Sequence, residues 1–481
     1  MTKKSIKLNY LYNAGYQILM IFAPLITTPY VSRVLSADGI GTSSYIESIL
    51  SYFTMFAVLG TTTYAQREIS YCQEDKRKRS EVFWNMIIFR TITTFICTLV
   101  YLAFAFTRSE NISIYIVMTI NLIATVADIT WFFQGLEEFG KIVGRNFVCR
   151  IINIVFIFTF VRDKDDLIWY VLGNAAIYLI SNLSLWFYLP KYIVKANKSS
   201  LRPFSNLSVI ITLFVPTIAT KVYTVLDKTM IGVFTKTAAE NGYYEQSMKI
   251  ARMVLAIITS LGTVMIPRIG FYFAKGDKDA VQDYMYRGYR FVWFLGIPLS
   301  LGIFGVSDNL VPWFFGPGYE KVALLLKIVC FLLLAIGINN LTGMQYMIPT
   351  KREKPFTKSV MLGAVSNFVF NIIFIPLIQS VGAAIASVIA ESIIAIVQLF
   401  WMRKEISTKK VLYVSIHYWI AGLLMLFVLR LENVIFTASM LNTLLMVLSG
   451  SVVYFVVLLI LRDTFFVENV ETVLRKLRIK K

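Results

Sequence analysis

The sequence predicts an all-α integral membrane protein of about 14 transmembrane helices, on three observations. Long apolar segments recur along the whole chain, each near the ~20 residues needed to cross a bilayer. Hydrophobic residues make up 57% of the 481 and charged residues only 16%, more apolar surface than a soluble fold of this length can hide. The loops between the segments are short, and they alternate between rich and poor in Lys and Arg. In hydrocarbon a backbone must satisfy its own hydrogen bonds, so segments of this length read as helices rather than strands.

In chain order the spans fall near 8–33, 42–66, 82–106, 112–134, 145–162, 167–190, 207–234, 243–266, 286–307, 321–348, 357–378, 381–402, 411–429 and 440–461. The first follows a basic start, but it is too long for a signal peptide and lacks a small-residue cleavage pattern, so it is expected to stay in the mature protein. Basic residues orient the set. Lys3, Lys4, Lys7, Arg67, Lys76 to Arg79, Lys141, Arg145, Lys191, Lys195, Lys198 and Arg202 crowd one family of loops. So do Arg268, Lys275, Lys278, Lys351, Arg352, Lys354, Arg403, Lys404, Lys409, Lys410 and Arg462. The alternate loops hold only Arg33, Arg108, Arg162, Lys164, Lys236 and Arg430. The positive-inside rule makes the first family cytoplasmic, and an even span count then puts both termini inside.

Spans 1 and 7 resemble each other. Each carries proline in its middle, Pro24 and Pro29 in one and Pro216 in the other. Each is followed by a short external loop and a glycine before a tyrosine-bearing helix start, Gly41 with Tyr45 and Gly242 with Tyr243. This predicts parallel six-helix lobes over 1–200 and 201–405, two additional transmembrane helices over 406–461, and a basic cytoplasmic tail over 462–481. Such repeats commonly enclose a cavity near the midplane. In the tail, Phe466, Val470, Leu474 and Leu477 recur at helical spacing among basic residues, which fits either a helix on an anionic leaflet or a disordered tail.

The net charge of +19 is mostly topology, and a nucleic-acid partner is not expected without a soluble basic face. No loop reaches domain size, and there is no Walker motif. Asp163-Lys164-Asp165 has the DxD form of sugar-nucleotide sites but sits in a short external loop, where it reads as a hydrophilic turn. Cys72, Cys97, Cys149 and Cys330 show no metal or redox spacing, and His417, the only histidine, reads as packed or interfacial. Neither catalysis, cofactor nor metal is expected; transport is the default.

Several segments resemble the Wzx-type polysaccharide flippases. They are Thr28-Pro29-Tyr30-Val31-Ser32-Arg33-Val34-Leu35, Gly39-Ile40-Gly41 and Tyr64-Ala65-Gln66-Arg67-Glu68-Ile69, then Leu226-Asp227-Lys228-Thr229-Met230-Ile231-Gly232, Gly242-Tyr243-Tyr244 and Met265-Ile266-Pro267-Arg268. Pro349-Thr350-Lys351-Arg352-Glu353 and Gly382-Ala383-Ala384-Ile385-Ala386-Ser387 continue the match toward Glu391. Their order and spacing cover almost the whole chain. The resemblance implies the multidrug/oligosaccharidyl-lipid/polysaccharide exporter superfamily and two six-span lobes. It implies a bacterial cytoplasmic membrane protein that turns undecaprenyl-diphosphate-linked oligosaccharides from the inner to the outer leaflet. Polysaccharide polymerase and chain-length machinery would then be partners. The alternatives are a cation-coupled drug exporter of the same superfamily and an integral polysaccharide polymerase. The first would favour acidic and aromatic cavity residues; the second should show a large external loop.

Charges inside spans are expensive and mark partners or wet cavities. Lys221 and Lys228 share one face of span 7, and Lys249 and Arg252 share one face of span 8. With Asn13 and Gln17, which continue a polar stripe from Asn9 on span 1, these are the expected substrate-binding residues. The cations would offset desolvation of a diphosphate, and the amides would meet sugar hydroxyls or act as interhelical glue. Glu47, Glu391 and Asp128 are the expected ion-coupling carboxylates, Glu47 first because span 2 follows the proline-bearing span 1, and Glu391 next because Gly382-Ala383-Ala384 allows close helix approach, with structural ion pairs as the competing reading. Arg90 and Arg150 are expected to snorkel to the headgroups.

Overall fold

The protein is described by a computed structural model covering the backbone of residues 6–260, 262–469 and 471. Side chains are described from residue 23 onward, apart from 198, 215–217, 219–223, 261, 263, 264, 470 and those after 471. The described residues contain no strand. The helices, in order, are α1 (Ile6–Val58), α2 (Thr61–Tyr71), α3 (Lys76–Phe106), α4 (Ile112–Ala127), α5 (Thr130–Gly135), α6 (Phe139–Phe160), α7 (Leu167–Ser184) and α8 (Leu207–Phe234). They continue with α9 (Ala239–Thr259), α10 (Gly262–Ala274), α11 (Lys278–Phe315), α12 (Glu320–Asn339), α13 (Glu353–Ile378), α14 (Ser380–Met402), α15 (Thr408–Ile435) and α16 (Met440–Ile460). A π-helical stretch, Asn340–Met347, extends α12.

Among the described residues, ten helical segments are long and apolar enough to cross a membrane. Much of their apolar surface points outward. In the most apolar window of α6 only 22% is buried, and Ile151, Ile152, Val155 and Phe160 are all exposed. In water such a surface would be untenable; in lipid it is the solvated face.

The chain folds as two compact units. The first comprises residues 1–232 with 237–242, the second 233–236 with 243–481. The core of the first unit gathers around Phe83, whose ring stacks on Trp131 at 5.8 Å and meets Phe132 edge-on at 5.3 Å and Trp186 at 5.8 Å. A second apolar cluster joins Ile46, Leu50, Tyr101, Tyr115, Met118 and Leu122. In the second unit α11 packs on α12 and α15, and α13 and α14 form a tight hairpin around Gln379. Gly382 makes that hairpin close: a Cβ there would run into the backbone of Phe374.

Helix ends carry the caps their sequences offer. Asp75 accepts from the N–H of Arg77 at 2.9 Å and of Lys78 at 3.1 Å, and Asp277 from Ala280 at 2.9 Å, satisfying donors that lack partners in the first turn. Several boundaries differ from the sequence expectation, span 8 among them, which ends at Thr259 with α10 starting at Gly262. Spans 1 and 2 run on as α1, interrupted only at Ser36, where φ is 59° and ψ 175°. The second span ends at Val58, because Leu59 and Gly60 both take positive φ before α2. The fourth is broken at Asp128 into α4 and α5. One reversed residue at Ser36 and two at Leu59-Gly60 suffice, so no polar loop announces either break.

Candidate functional site

Lys221 and Lys228 lie on α8, Lys249 and Arg252 on α9. The side chains of Lys221, Asn13 and Gln17 are outside the described residues, as is most of the tail from Val470. Lys228 is half-buried in the first unit; in the second, Lys249 is half-buried and Arg252 exposed, one turn apart. Within the first unit, Thr229 Oγ1 lies 2.9 Å from Ser48 Oγ and 3.1 Å from the Tyr52 hydroxyl. These contacts set the turn of α8 bearing Asp227 and Lys228 against the turn of α1 bearing Glu47. Glu47 itself is exposed and Asp227 buried.

The paired glycines noted in the sequence meet. A Cβ on Gly41 would strike the carbonyl of Ala238, and one on Gly242 the carbonyl of Ala37. Asp38 Oδ1 accepts from the N–H of Ala239 at 3.1 Å. The start of α9 is therefore laid backbone to backbone on α1.

Asp128 occupies the break between α4 and α5. Its carboxylate accepts from the N–H of Thr130 at 2.9 Å, and its carbonyl accepts from Arg90 Nη1 at 2.9 Å and Trp131 Nε1 at 3.1 Å. Arg90 does not snorkel. It is 1% exposed, donates from Nε to Thr61 Oγ1 at 2.7 Å and from Nη2 to Thr62 Oγ1 at 2.6 Å, and lies over the Trp131 ring at 5.7 Å. The guanidinium fork is met by two hydroxyls, a carbonyl and an aromatic face at two helix breaks, which gives it a better environment than the long reach to the headgroups. Sequence alone offered no cue that Thr61 and Thr62 would be its acceptors.

Glu391 is buried on α14 in a polar seam of the second unit. Asn339 donates from Nδ2 to the Glu391 carboxylate and, at 3.0 Å, to its backbone carbonyl. The seam continues through Gln345 to Asn340 at 2.8 Å, Gln398 to Ser359 at 3.0 Å, Asn371 to Asn367 at 3.1 Å, and Tyr244 with Ser387 at 3.2 Å. The buried Asn339 Oδ1, Gln345 Oε1 and Gln398 Oε1 accept no hydrogen bond from the described residues. Part of the seam coincides with the π-helical turn 340–347, a distortion that recurs at working sites. These amides escaped the sequence reading, although Asn367 and Asn371 at four-residue spacing, and Glu391 and Gln398 at seven, repeat on one face of apolar helices. Among the described residues no group of His, Cys, Asp and Glu could hold a metal ion.

Residues 6–273 match the family model described as polysaccharide biosynthesis protein, and residues 147–465 that of the lipid II flippase MurJ. Each covers more than half of the chain. The chain belongs to the polysaccharide biosynthesis protein family. It is a Wzx-type member of the exporter superfamily that also holds MurJ. A candidate O-antigen transporter of Escherichia coli (strain K12) is 23% identical over 84% of this chain and 98% of its own length. Among solved structures, the lipid II flippase MurJ in an inward closed conformation superposes with a TM-score of 0.74 at 17% identity, covering 95% of this chain and 99% of that one. An inward-facing MATE family multidrug resistance transporter gives 0.59 at 13% identity, covering 82% and 98%. The family's fold is thus shared with both.

Proposed function

We propose that the protein is a flippase, without catalytic activity of its own, that moves undecaprenyl-diphosphate-linked oligosaccharide units from the inner to the outer leaflet by alternating access. The observation that carries this reading is the placement of Lys249 and Arg252 one turn apart on α9, with Lys228 on α8, in a chain of the polysaccharide biosynthesis family. A diphosphate leaving the headgroups loses hydration, and fixed cations offset that loss; an arginine fork adds bidentate geometry. The likeness to MATE transporters is one of fold, and cations rather than carboxylates dominate the expected binding residues, which disfavours a drug-cation substrate.

The reading comprises fourteen spans in two six-helix lobes plus an appended pair, both termini cytoplasmic in the bacterial inner membrane, and a polymerase receiving the product. Cysteines introduced at Asp38, Asp163 and Gly318 should be labelled from outside intact cells, and cysteines at Lys78 and Lys351 should not. Labelling at position 78 would refute the map. For the substrate site, Arg252→Ala should slow flipping at least about tenfold in an inserted protein, the scale of a lost charged hydrogen bond. Arg252→Lys should recover part of the rate, because charge returns without the fork. Wild-type flipping by an Arg252→Ala/Lys221→Ala double variant would reject the cationic site.

Export without a nucleotide site draws on an ion gradient, the membrane potential or removal of product. Among the three carboxylates, Glu391 is favoured as the coupling group over Glu47 and Asp128. Its buried position in a seam of neutral amides leaves its charge sensitive to small movements, whereas Glu47 is exposed and Asp128 is engaged at a helix break.

A further inference from the structure

We propose that Asp308, Lys327 and Arg430 form a headgroup site for an anionic phospholipid at the end of the second unit where α11 meets α12. Asp308 Oδ1 accepts from Lys327 Nζ at 2.5 Å, and Asp308 Oδ2 from Arg430 Nη1 at 3.2 Å. Two cations share one carboxylate, so the cluster carries a surplus positive charge. Four N–H groups of Arg430 and two of Lys327 find no acceptor among the described residues. Asp308 and Arg430 are about two-fifths exposed, at 41% and 42%.

The setting is apolar. Lys327 is flanked on its own helical face by Leu324 and Phe331, Arg430 by Phe427 and Val434, all four exposed. Phe304, one turn below Asp308, carries the Arg430 guanidinium at 5.0 Å and touches the Phe331 ring at 6.4 Å. The three charges lie about two turns inside the ends of α11 and α12 and about one and a half turns inside the end of α15. On the spans read from the sequence, Asp308 and Arg430 each stand just beyond the end of one, spans 9 and 13, where phosphate would meet acyl chain. An unpartnered surplus cation on an apolar wall is costly there, and a lipid phosphate removes the cost while its chains cover the exposed phenylalanines and leucines.

The site is also held in shape. Asn309, beside Asp308, donates from Nδ2 to the carbonyl of Thr437 at 3.0 Å and accepts from Thr443 Oγ1 at 2.7 Å. Asn433, one turn beyond Arg430, donates to the carbonyl of Gly305. The ends of α11, α15 and α16 are thereby fixed to one another before any lipid arrives. On the proposed topology this is the outer leaflet, but binding itself does not depend on the transported substrate or on that orientation.

The test is native mass spectrometry of the full chain in mild detergent, titrated with long-chain phosphatidylglycerol and with phosphatidylcholine. The wild type should prefer phosphatidylglycerol, and Lys327→Gln/Arg430→Gln should bind it at least about tenfold more weakly, as expected for two interfacial cations. Asp308→Asn decides between a ligand site and a purely structural ion cluster. It frees both cations, so the affinity for phosphatidylglycerol should rise several-fold; an unchanged or reduced affinity overturns the proposal. Because Asp308→Asn adds positive charge instead of removing it, its result stands even if the double variant fails to fold. Displacement by inorganic phosphate as readily as by long-chain lipid would replace the lipid site with a simple anion site. Tighter binding of undecaprenyl phosphate than of phosphatidylglycerol at the same residues would make it a substrate station and likewise overturn the resident-lipid reading.

Discussion

The two units bury polar groups in opposite ways. In the first, Arg90 is buried and each arm of its fork is used: it meets Thr61, Thr62 and the carbonyl of Asp128, with Trp131 across its face. In the second, a seam of neutral amides surrounds Glu391, and several of its buried oxygens accept nothing from the described residues. A satisfied buried charge is rigid, because any movement strands it. An under-satisfied amide seam has several near-equal arrangements and can be biased by one proton or one ion. The contrast fits Arg90 to holding the first unit together, and it is the ground on which the Glu391 seam is proposed as the element that changes state.

The sharpest way to break this contrast is Arg90→Ala. It removes the donors that meet the Thr61 and Thr62 hydroxyls and one of the two that meet the Asp128 carbonyl, and it leaves a void beside Trp131. The expected cost is about 3–4 kcal/mol, read as a large fall in thermal stability in detergent. Arg90→Lys should recover little, since an ammonium cannot span three acceptors set for a planar fork. A wild-type melting point for Arg90→Ala would mean that the cluster stabilises nothing.

Thr61→Val tests the same clamp from its acceptor side. Thr61 is fully buried, and its hydroxyl both accepts from Arg90 Nε and donates to the Val58 carbonyl at 2.5 Å. Losing the acceptor leaves a buried charged N–H unpaired, at a cost of about 1–3 kcal/mol. Glu391→Gln should cost less, within about 1 kcal/mol, because Asn339 can still donate to the new amide oxygen. Its effect belongs in transport: an inserted protein whose flipping no longer responds to a pH gradient. If Glu391→Gln keeps the wild-type response, the coupling assignment to Glu391 fails and Glu47→Gln becomes the next variant to measure.

The comparison also explains what the sequence made legible. Helix existence was readable because each segment needs a long apolar run, and this is why α3, α6, α13 and α16 lie close to where hydropathy puts them. The breaks at Ser36 and at Leu59-Gly60 were not, because a positive φ at one or two residues leaves no trace in composition. Family membership was readable from ordered short motifs. Burial of individual charges was not. Arg90 and Arg150 look alike in sequence, each near a span end, yet Arg90 is sealed at two helix breaks while Arg150 is half-buried with its Nε lacking an acceptor among the described residues. The difference arises from hydroxyls and carbonyls contributed by α2 and by the α4–α5 break, distant in sequence.

The smallest expected effect is the most discriminating for the amide seam. Gln345 lies in the π-helical turn, donates to Asn340 Oδ1 at 2.8 Å and buries an Oε1 that accepts nothing from the described residues. Replacing it with methionine, of similar length and shape, loses one neutral hydrogen bond worth about 1 kcal/mol and removes an unsatisfied oxygen that costs a similar amount. The two terms oppose each other, so Gln345→Met should leave thermal stability within about 1 kcal/mol of wild type. Thr61→Val, a nominally milder change in the other unit, should cost more. If Gln345→Met instead destabilises the protein as strongly as Thr61→Val, its oxygen is engaged and the seam is as tightly satisfied as the arginine clamp. A neutral result with an altered pH response of flipping would place Gln345 in the element that switches with Glu391.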